Sequence, residues 1–483
     1  MKSNRPDTTF TGPELCGYSA KKVVSMLRKG KITSSDLIDA SEQRTGETDD
    51  AVNAMVTRCF DRARDRQSVL KDLDTSQSGW LGGLPIGIKD LSAVEGVRST
   101  SGTLGLKDNI PKVSDPIVDI LERRGGLVVG KSNTPEMGAG GNTFNEVFGC
   151  TRNPWDTRKN AGGSSGGAAV NLATGQVWLS QGSDLAGSLR TPAAYCGVVG
   201  FRTSPGVAFG GPLHLGFSPE GLSGPMARSV EDCALFLDAM SGYDERAPLS
   251  LPAPDQPYQS AVEQGSQNIR VAYAPTLNGF APVEAEIQDV MAAALNQLER
   301  SGGTVDEACP NLDGLYDTYV TLRAMFWNST GGRAPHSIQK HYKDTLSGNI
   351  DVGKKLTVED VCDANLTRTQ LYHSMRNFLH DFDVLACAVI GLEPTPVEVE
   401  YPLEVGEEKM GTYIDWLKFS FLATTAGLPA ISVPCGFTKS GMPVGIQLIG
   451  PPRGDAKVLA VAAALERAVG LETGPIDPIV RHM

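Results

Sequence analysis

Two serines and one lysine carry the most pointed chemistry in this 483-residue sequence. Ser164 sits in GGSSGG (162–167) and Ser188 in GSDLAGSLR (182–190), two glycine-rich turns with the serines 24 positions apart. That interval is about the length of a helix plus a strand that returns to the same place. Upstream, Lys89 stands in LGGLPIGIKDLSAV, an apolar setting, and no histidine occurs between Lys89 and Arg190. A serine nucleophile in such surroundings needs a base other than imidazole, and a lysine amine can serve once it is neutral. Flanking Ile86, Ile88 and Leu91 imply burial, which depresses a lysine pKa. Activity is therefore expected to rise toward alkaline pH.

Other templates fit less well. Gly162–Gly166 can be read as the G-x-S-x-G nucleophile elbow, but that motif needs a strand before the serine and a histidine after it. The residues before it, NPWDTRKNA, are loop chemistry, and His214, His336, His341, His373, His380 and His482 have no catalytic context. No phosphate-binding lysine follows the glycine loop and no His/Cys spacing suits a metal, so neither metal nor cofactor is expected. An S-x-x-K match at Ser19–Lys22 reads as a solvated lysine on an exposed helix. Cys150 and Cys196 read as small core residues rather than thiol nucleophiles. Ser165 is as eligible as Ser164 for a proton relay on residue type alone. Asp184 and Arg190 flank Ser188 and are expected to pair, fixing the loop between them. The helical look of LRTPAAY after Ser188 lets backbone N–H groups converge on an oxyanion.

Helices, strands and turns must hold these groups. Residues 19–29 and 34–44 have serine starts and helical apolar spacing, as does the segment around Val52, Met55, Val56 and Cys59. Residues 84–88 read as a buried strand, and 116–124 as a helix that ends at Gly125-Gly126 and leads into the strand LVVG. Residues 168–174 read as helix and 177–180 as strand. Such alternation predicts an α/β fold, a single large domain with a mixed central sheet covered by helices on both faces. Texture changes near 250: after proline-rich LSLPAPDQP come the strand IRVAYAP, a helix over about 283–300 and polar helical stretches. The expected organisation is an N-terminal helical segment (1–75), a core (76–250), an inserted, mostly helical region forming the substrate pocket (251–412), and strands plus a helix completing the core (413–483). Tyr319, Met325, Phe326 and Trp327 share one helical stretch that could wall an apolar or aryl pocket, or simply be core.

Composition narrows the partners. With 44 basic and 56 acidic residues the net charge is −12, which argues against nucleic acid or an anionic membrane as partner. Nine scattered cysteines without a C-x-x-C read as reduced thiols. The N-terminal segment shows no apolar signal core, and no run approaches 18 apolar residues, so a cytoplasmic location is expected.

The stretches IGIKD, GLVVGKSNTPEMG, FGCTRNPWD, the two-serine block, TPAAYCGVVGFRTS and AISVPCGF…MPVGIQLIG follow one another over most of the chain. In this ordered set the sequence resembles the amidase signature family. The resemblance implies a triad of Lys89 as base, Ser164 as relay after a cis peptide bond, and Ser188 as nucleophile, with Ser165 supporting the loop. It also implies an oxyanion hole from the N–H groups of Leu185, Ala186, Gly187 and Ser188, and an acyl site lined by Gly138. Most relatives carry glycine at the position of Ala186, so a backbone angle that requires glycine would be strained there. The activity implied is cofactor-independent hydrolysis of the C–N bond of a small amide; the Tyr319–Trp327 stretch favours an aryl amide, anilide or carbamate, and the shared tetrahedral intermediate makes esters or carbamates expected side substrates. Expected partners are the small-molecule substrate and at most a second copy of the chain. The alternative is the glutaminase subunit of a glutamine-dependent tRNA amidotransferase.

Overall fold

The computed structural model describes residues 4–208 and 213–482. Eleven segments join into one mixed sheet: β1 (Met55–Arg58), β2 (Pro85–Lys89), β3 (Leu127–Ser132), β4 (Leu179–Asp184), β5 (Val199–Arg202), β6 (Leu222–Ala227), β7 (Arg270–Tyr273), β8 (Thr304–Glu307), β9 (Val384–Ala388), β10 (Ala430–Phe437) and β11 (Pro443–Ile449). Their spatial order is β1-β3-β2-β4-β6-β5-β10-β11-β9-β7-β8. The pairs β3–β2, β2–β4, β9–β7 and β7–β8 are parallel, and the others antiparallel. This is the expected α/β architecture.

Helices cover both faces, as the alternation along β3 shows. Leu127 and Val129 pack with Ile38 and Val52 of the helix Ser34–Val52 and with Ala169 and Leu172 of the helix Gly166–Ala173. Val128 points the other way, into a cluster with Ile117 and Leu121 of the helix Pro116–Arg123 and Phe236 of the helix Val230–Met240. Successive side chains of a strand face opposite sides, so one strand serves two helical layers. The parallel strand β2, buried at every residue, accordingly reads as an unbroken apolar run up to its lysine.

The segment around Val52, Met55, Val56 and Cys59 is not the continuous helix that its spacing suggested. The helix stops at Val52, Asn53 adopts a left-handed conformation, and Met55–Arg58 forms β1. Asp49 Oδ1 accepts from the N–H groups of Ala54 (2.7 Å) and Met55 (3.0 Å), so the chain is turned by a side chain rather than by a glycine. The Ser19–Lys22 pair is a helix cap: Ser19 Oγ accepts from the Lys22 N–H at 3.2 Å at the start of Ala20–Arg28. The strand expected at 177–180 runs from Leu179 to Asp184, which brings its end to the loop preceding Ser188. Residues 251–412 carry helices Ala285–Arg300, Leu315–Ser329, Asp344–Lys355 and Val358–Phe378. They also give β7, β8 and β9 to one side of the sheet, beyond β10 and β11 from the last part of the chain.

Candidate active site

Parallel neighbours end at the same edge of a sheet, and that edge is where α/β folds hold ligands. Strand β2 pairs with β4 through Ile86↔Leu179, Gly87↔Ser180 and Ile88↔Gln181. Lys89 at the end of β2 therefore arrives beside the last residues of β4. Its side chain is fully buried, and Nζ donates to Ser164 Oγ at 2.7 Å, Ser165 Oγ at 2.9 Å and Ser183 Oγ at 3.1 Å. Burial brings the amine down from 10.5 to about 7, while the Asp184 carboxylate pulls in the opposite direction. Lys131, the other fully buried lysine, differs in lying 3.2 Å from the Asp90 carboxylate.

Ser164 and Ser165 lie at the entrance of the helix Gly166–Ala173, after a cis Gly163–Ser164 peptide. That helix comes close to the end of β3: a Cβ on Gly167 would stand 2.3 Å from the Asn133 nitrogen, so only glycine fits. The Ser165 N–H donates to the Ser188 carbonyl at 3.2 Å, tying the two serine turns together. Both Ser165 and Ser164 reach Lys89, whereas Ser164 and not Ser165 lines the cavity that Ser188 also lines. Ser188 Oγ itself makes no hydrogen bond among the described residues.

Asp184 organises the second turn. Its carboxylate accepts from Arg190 Nε (3.0 Å) and Nη2 (2.8 Å), and from the N–H groups of Gly187 (3.1 Å) and Leu189 (3.1 Å). Burial opposes its charge, but Arg190 and Arg202 outweigh that and hold the carboxyl far below the usual range. The expected Asp184–Arg190 pair is thus present, and fully buried. One expected donor is engaged elsewhere: the Gly187 N–H is directed at Asp184 rather than left open. The N–H groups of Leu185, Ala186 and Ser188 have no acceptor among the described residues. Ala186 shows no left-handed angle; Gly187, at φ +82°, takes that conformation instead. The alanine is therefore accommodated without strain.

A cavity of about 500 Å³ opens over these groups. Ser164, Ser183 and Ser188 lie on its polar side, and Leu91, Met137, Leu185, Leu222, Phe326 and Trp327 supply apolar wall. Gly138, at φ +77°, lines it as expected; a Cβ there would meet Leu91 Cδ1 at 2.7 Å and stand 3.6 Å from Ser164 Oγ. Of the expected aromatic stripe, Phe326 and Trp327 reach the cavity, Met325 does not, and Tyr319 is buried behind the loop. Cys150 and Cys196 lie outside it, and burial pushes the Cys196 thiol well up. His214 is exposed at the lining. Among the described residues, no group of three or more His, Cys, Asp or Glu side chains could hold a metal. No helix there is long and apolar enough to cross a membrane.

Sequence reasoning missed Ser183, Gln181 and Arg202, and read Tyr319 as pocket wall or core rather than as a partner of the loop. Ser183 is the third hydroxyl on Lys89, and Gln181 Oε1 accepts from the Lys89 N–H at 3.1 Å. Arg202 Nη1 donates to the Asp184 carbonyl at 2.6 Å, and Tyr319 Oη donates to the Leu185 carbonyl at 3.3 Å. Ser183 and Gln181 lie within the strand that leads to Ser188 and were open to inspection. Arg202 and Tyr319 become neighbours of the loop only through the tertiary fold.

Residues 36–459 match the model of a family described as Amidase. An acylamidase of Rhodococcus erythropolis is 34% identical over 476 residues, covering 95% of this chain and 96% of that protein. A glutamyl-tRNA(Gln) amidotransferase component from Halothermothrix orenii is 28% identical, over 95% and 99%. The solved structure of a bacterial aryl acylamidase belonging to the amidase signature enzymes superposes with a TM-score of 0.86 at 28% identity, covering 94% of this chain and 96% of that one.

Proposed function

This chain belongs to the amidase signature family, as a serine hydrolase acting on amide C–N bonds, and from that premise we propose that it cleaves small aryl amides through an acyl-enzyme on Ser188. Ser188 Oγ attacks the carbonyl carbon while its proton passes through Ser164 Oγ to the neutral Lys89 amine. The tetrahedral oxyanion is received by the N–H groups of Leu185, Ala186 and Ser188. As the intermediate collapses, the C–N bond breaks and the proton returns from Lys89 through Ser164 to the leaving amine. Water then attacks the acyl carbon by the same proton route and releases the acid. Ser188 and Ser164 must come within hydrogen-bond reach when substrate fills the cavity, a tightening common between free and occupied sites.

The observation that carries this reading is the buried Lys89, joined to Ser164 at 2.7 Å beneath the cavity that Ser188 lines. Aryl substrates are favoured by the wall of Phe326, Trp327, Leu91 and Met137, part of it supplied by the 251–412 region. Esters and carbamates pass through the same kind of tetrahedral intermediate and are assigned as side substrates. All nine cysteines are free, which supports a reducing compartment such as the cytoplasm. The test is a panel of nitroanilides, nitrophenyl esters, nitrophenyl carbamates and aliphatic amides, run beside Ser188→Ala. Acyl-enzyme mass on Ser188 should accumulate with the aryl substrates and be absent from the variant. Turnover of small aliphatic amides alone would overturn the aryl assignment.

A second reading follows from the 28% identity to the tRNA amidotransferase component. It expects glutamine hydrolysis and a stable partner protein. The largely apolar cavity wall and the net charge of −12 weigh against it.

A further inference from the structure

A planar trans peptide has its C=O and the following N–H on opposite sides, so a group that holds the oxygen also aims the hydrogen. Only the Gly163–Ser164 bond is cis among the described residues, so the rule applies throughout 184–188. The Asp184 carbonyl is held by Arg202 Nη1 at 2.6 Å, and the Leu185 carbonyl by Tyr319 Oη at 3.3 Å. The peptide partners of these two oxygens are the N–H groups of Leu185 and Ala186. We infer that Arg202 and Tyr319 are positioning residues, which direct the Leu185 and Ala186 N–H groups toward the oxyanion by holding the carbonyls on the far side of the same peptide planes. The inference rests on the assignment of Ser188 as nucleophile.

Several features fix Tyr319 in this task. Arg323 Nη1 lies 3.5 Å from Tyr319 Oη, and a guanidinium can only donate. The phenolic oxygen therefore accepts from Arg323, leaving its own hydrogen for the Leu185 carbonyl, which can only accept. The Tyr319 ring stacks on Phe421, with centroids 3.6 Å apart and planes 13° apart. Both rings are buried, so the hydroxyl has little freedom to turn elsewhere. At the other end of the loop, the Thr191 N–H holds the Gly187 carbonyl at 2.7 Å, which aims the Ser188 N–H by the same rule. That last bond is ordinary helix-entry geometry, whereas Arg202 and Tyr319 reach in from separate parts of the chain. Tyr319 thus ties the helix Leu315–Ser329, whose Phe326 and Trp327 wall the cavity, to the catalytic loop.

Tyr319→Phe keeps the ring and its stacking while deleting the hydroxyl, and with it both the bond to the Leu185 carbonyl and the acceptor for Arg323. Deleting an oxyanion donor outright costs about 10²–10³ in rate; here the donor stays but loses its aim, so roughly a tenfold loss of kcat is expected, with KM unchanged. Affinity for an arylboronic acid, which forms a tetrahedral adduct on the serine, should weaken by a similar factor. The alkaline rise of the pH profile should stay in place, because Lys89 is untouched. Tyr316→Phe is the control: it lies on the same helix near the same Phe421, but its hydroxyl bonds Asp415 at 2.7 Å, and its kinetics should be unaltered. Unchanged kcat and boronate affinity in Tyr319→Phe, with Ser188→Ala inactive, would overturn this inference and leave the nucleophile assignment intact. So would equal losses in the two tyrosine variants. Full activity of Ser188→Ala would overturn both.

Discussion

Replacing Lys89 by methionine should separate stability from activity in a pH-dependent way. Lys89 is fully buried, has no carboxylate within ion-pair distance among the described residues, and has its amine lowered from 10.5 to about 7 chiefly by burial. At ~1.4 kcal/mol per pH unit, that displacement makes the amine cost the native state roughly 5 kcal/mol. Between those two pH values the unfolded chain keeps a proton that the folded chain has released. Native stability therefore rises with pH across that window, and the cost is fully present below about 7. Methionine removes the cost but also the bonds from Nζ to Ser164, Ser165 and Ser183, about 1 kcal/mol each. The variant should thus be more stable than the parent by ~2 kcal/mol near pH 6, and less stable by ~3 kcal/mol above pH 10. Its turnover should fall by about 10²–10⁴ for loss of the base. Urea unfolding followed by tryptophan fluorescence at three pH values measures the difference. An equal loss of stability at both ends of the range would refute the reasoning, because Lys89 would then be a stabilising cation rather than a desolvated amine.

The kcat/KM of the unaltered enzyme should climb through an apparent pKa near 7 as Lys89 loses its proton; a stopped assay across the pH range reads this, and a flat profile into the acid range contradicts it. Asp184→Asn leaves Arg190 and Arg202 buried without their carboxylate, and should lower stability by about 3–5 kcal/mol in chemical denaturation. Ala186→Gly should leave kcat within about a factor of two while lowering stability by ~0.4–1 kcal/mol, since alanine already fits its backbone angle and glycine loosens the unfolded chain. A marked rate gain would instead mean that the alanine methyl obstructs the loop. In native protein, a thiol reagent should modify exposed Cys362 quickly and reach Cys16, Cys196, Cys233, Cys387 and Cys435 only on unfolding, which mass mapping of labelled peptides will report.

What the sequence determined was local and chemical. Lys89 at the end of an all-apolar strand, two serine turns at a helix-plus-strand interval, and a helix after Ser188 are each written in contiguous residues. So was the pairing of Asp184 with Arg190, six positions apart within one turn. The chain was misread where one side chain redirected it: Asp49 capturing the N–H groups beyond Asn53 turned an apparent helix into β1. Residue type alone left Ser164 and Ser165 interchangeable; the folded turn offers both to Lys89 but brings Ser164 to the cavity. Tertiary structure also decided which amides stay open, because the Gly187 N–H is consumed by Asp184 and the neighbouring carbonyls are held by Arg202 and Tyr319. Burial and periodicity leave their mark on every residue of an element, whereas a hydrogen bond between residues 134 positions apart, as from Tyr319 to Leu185, leaves none on the sequence around either partner.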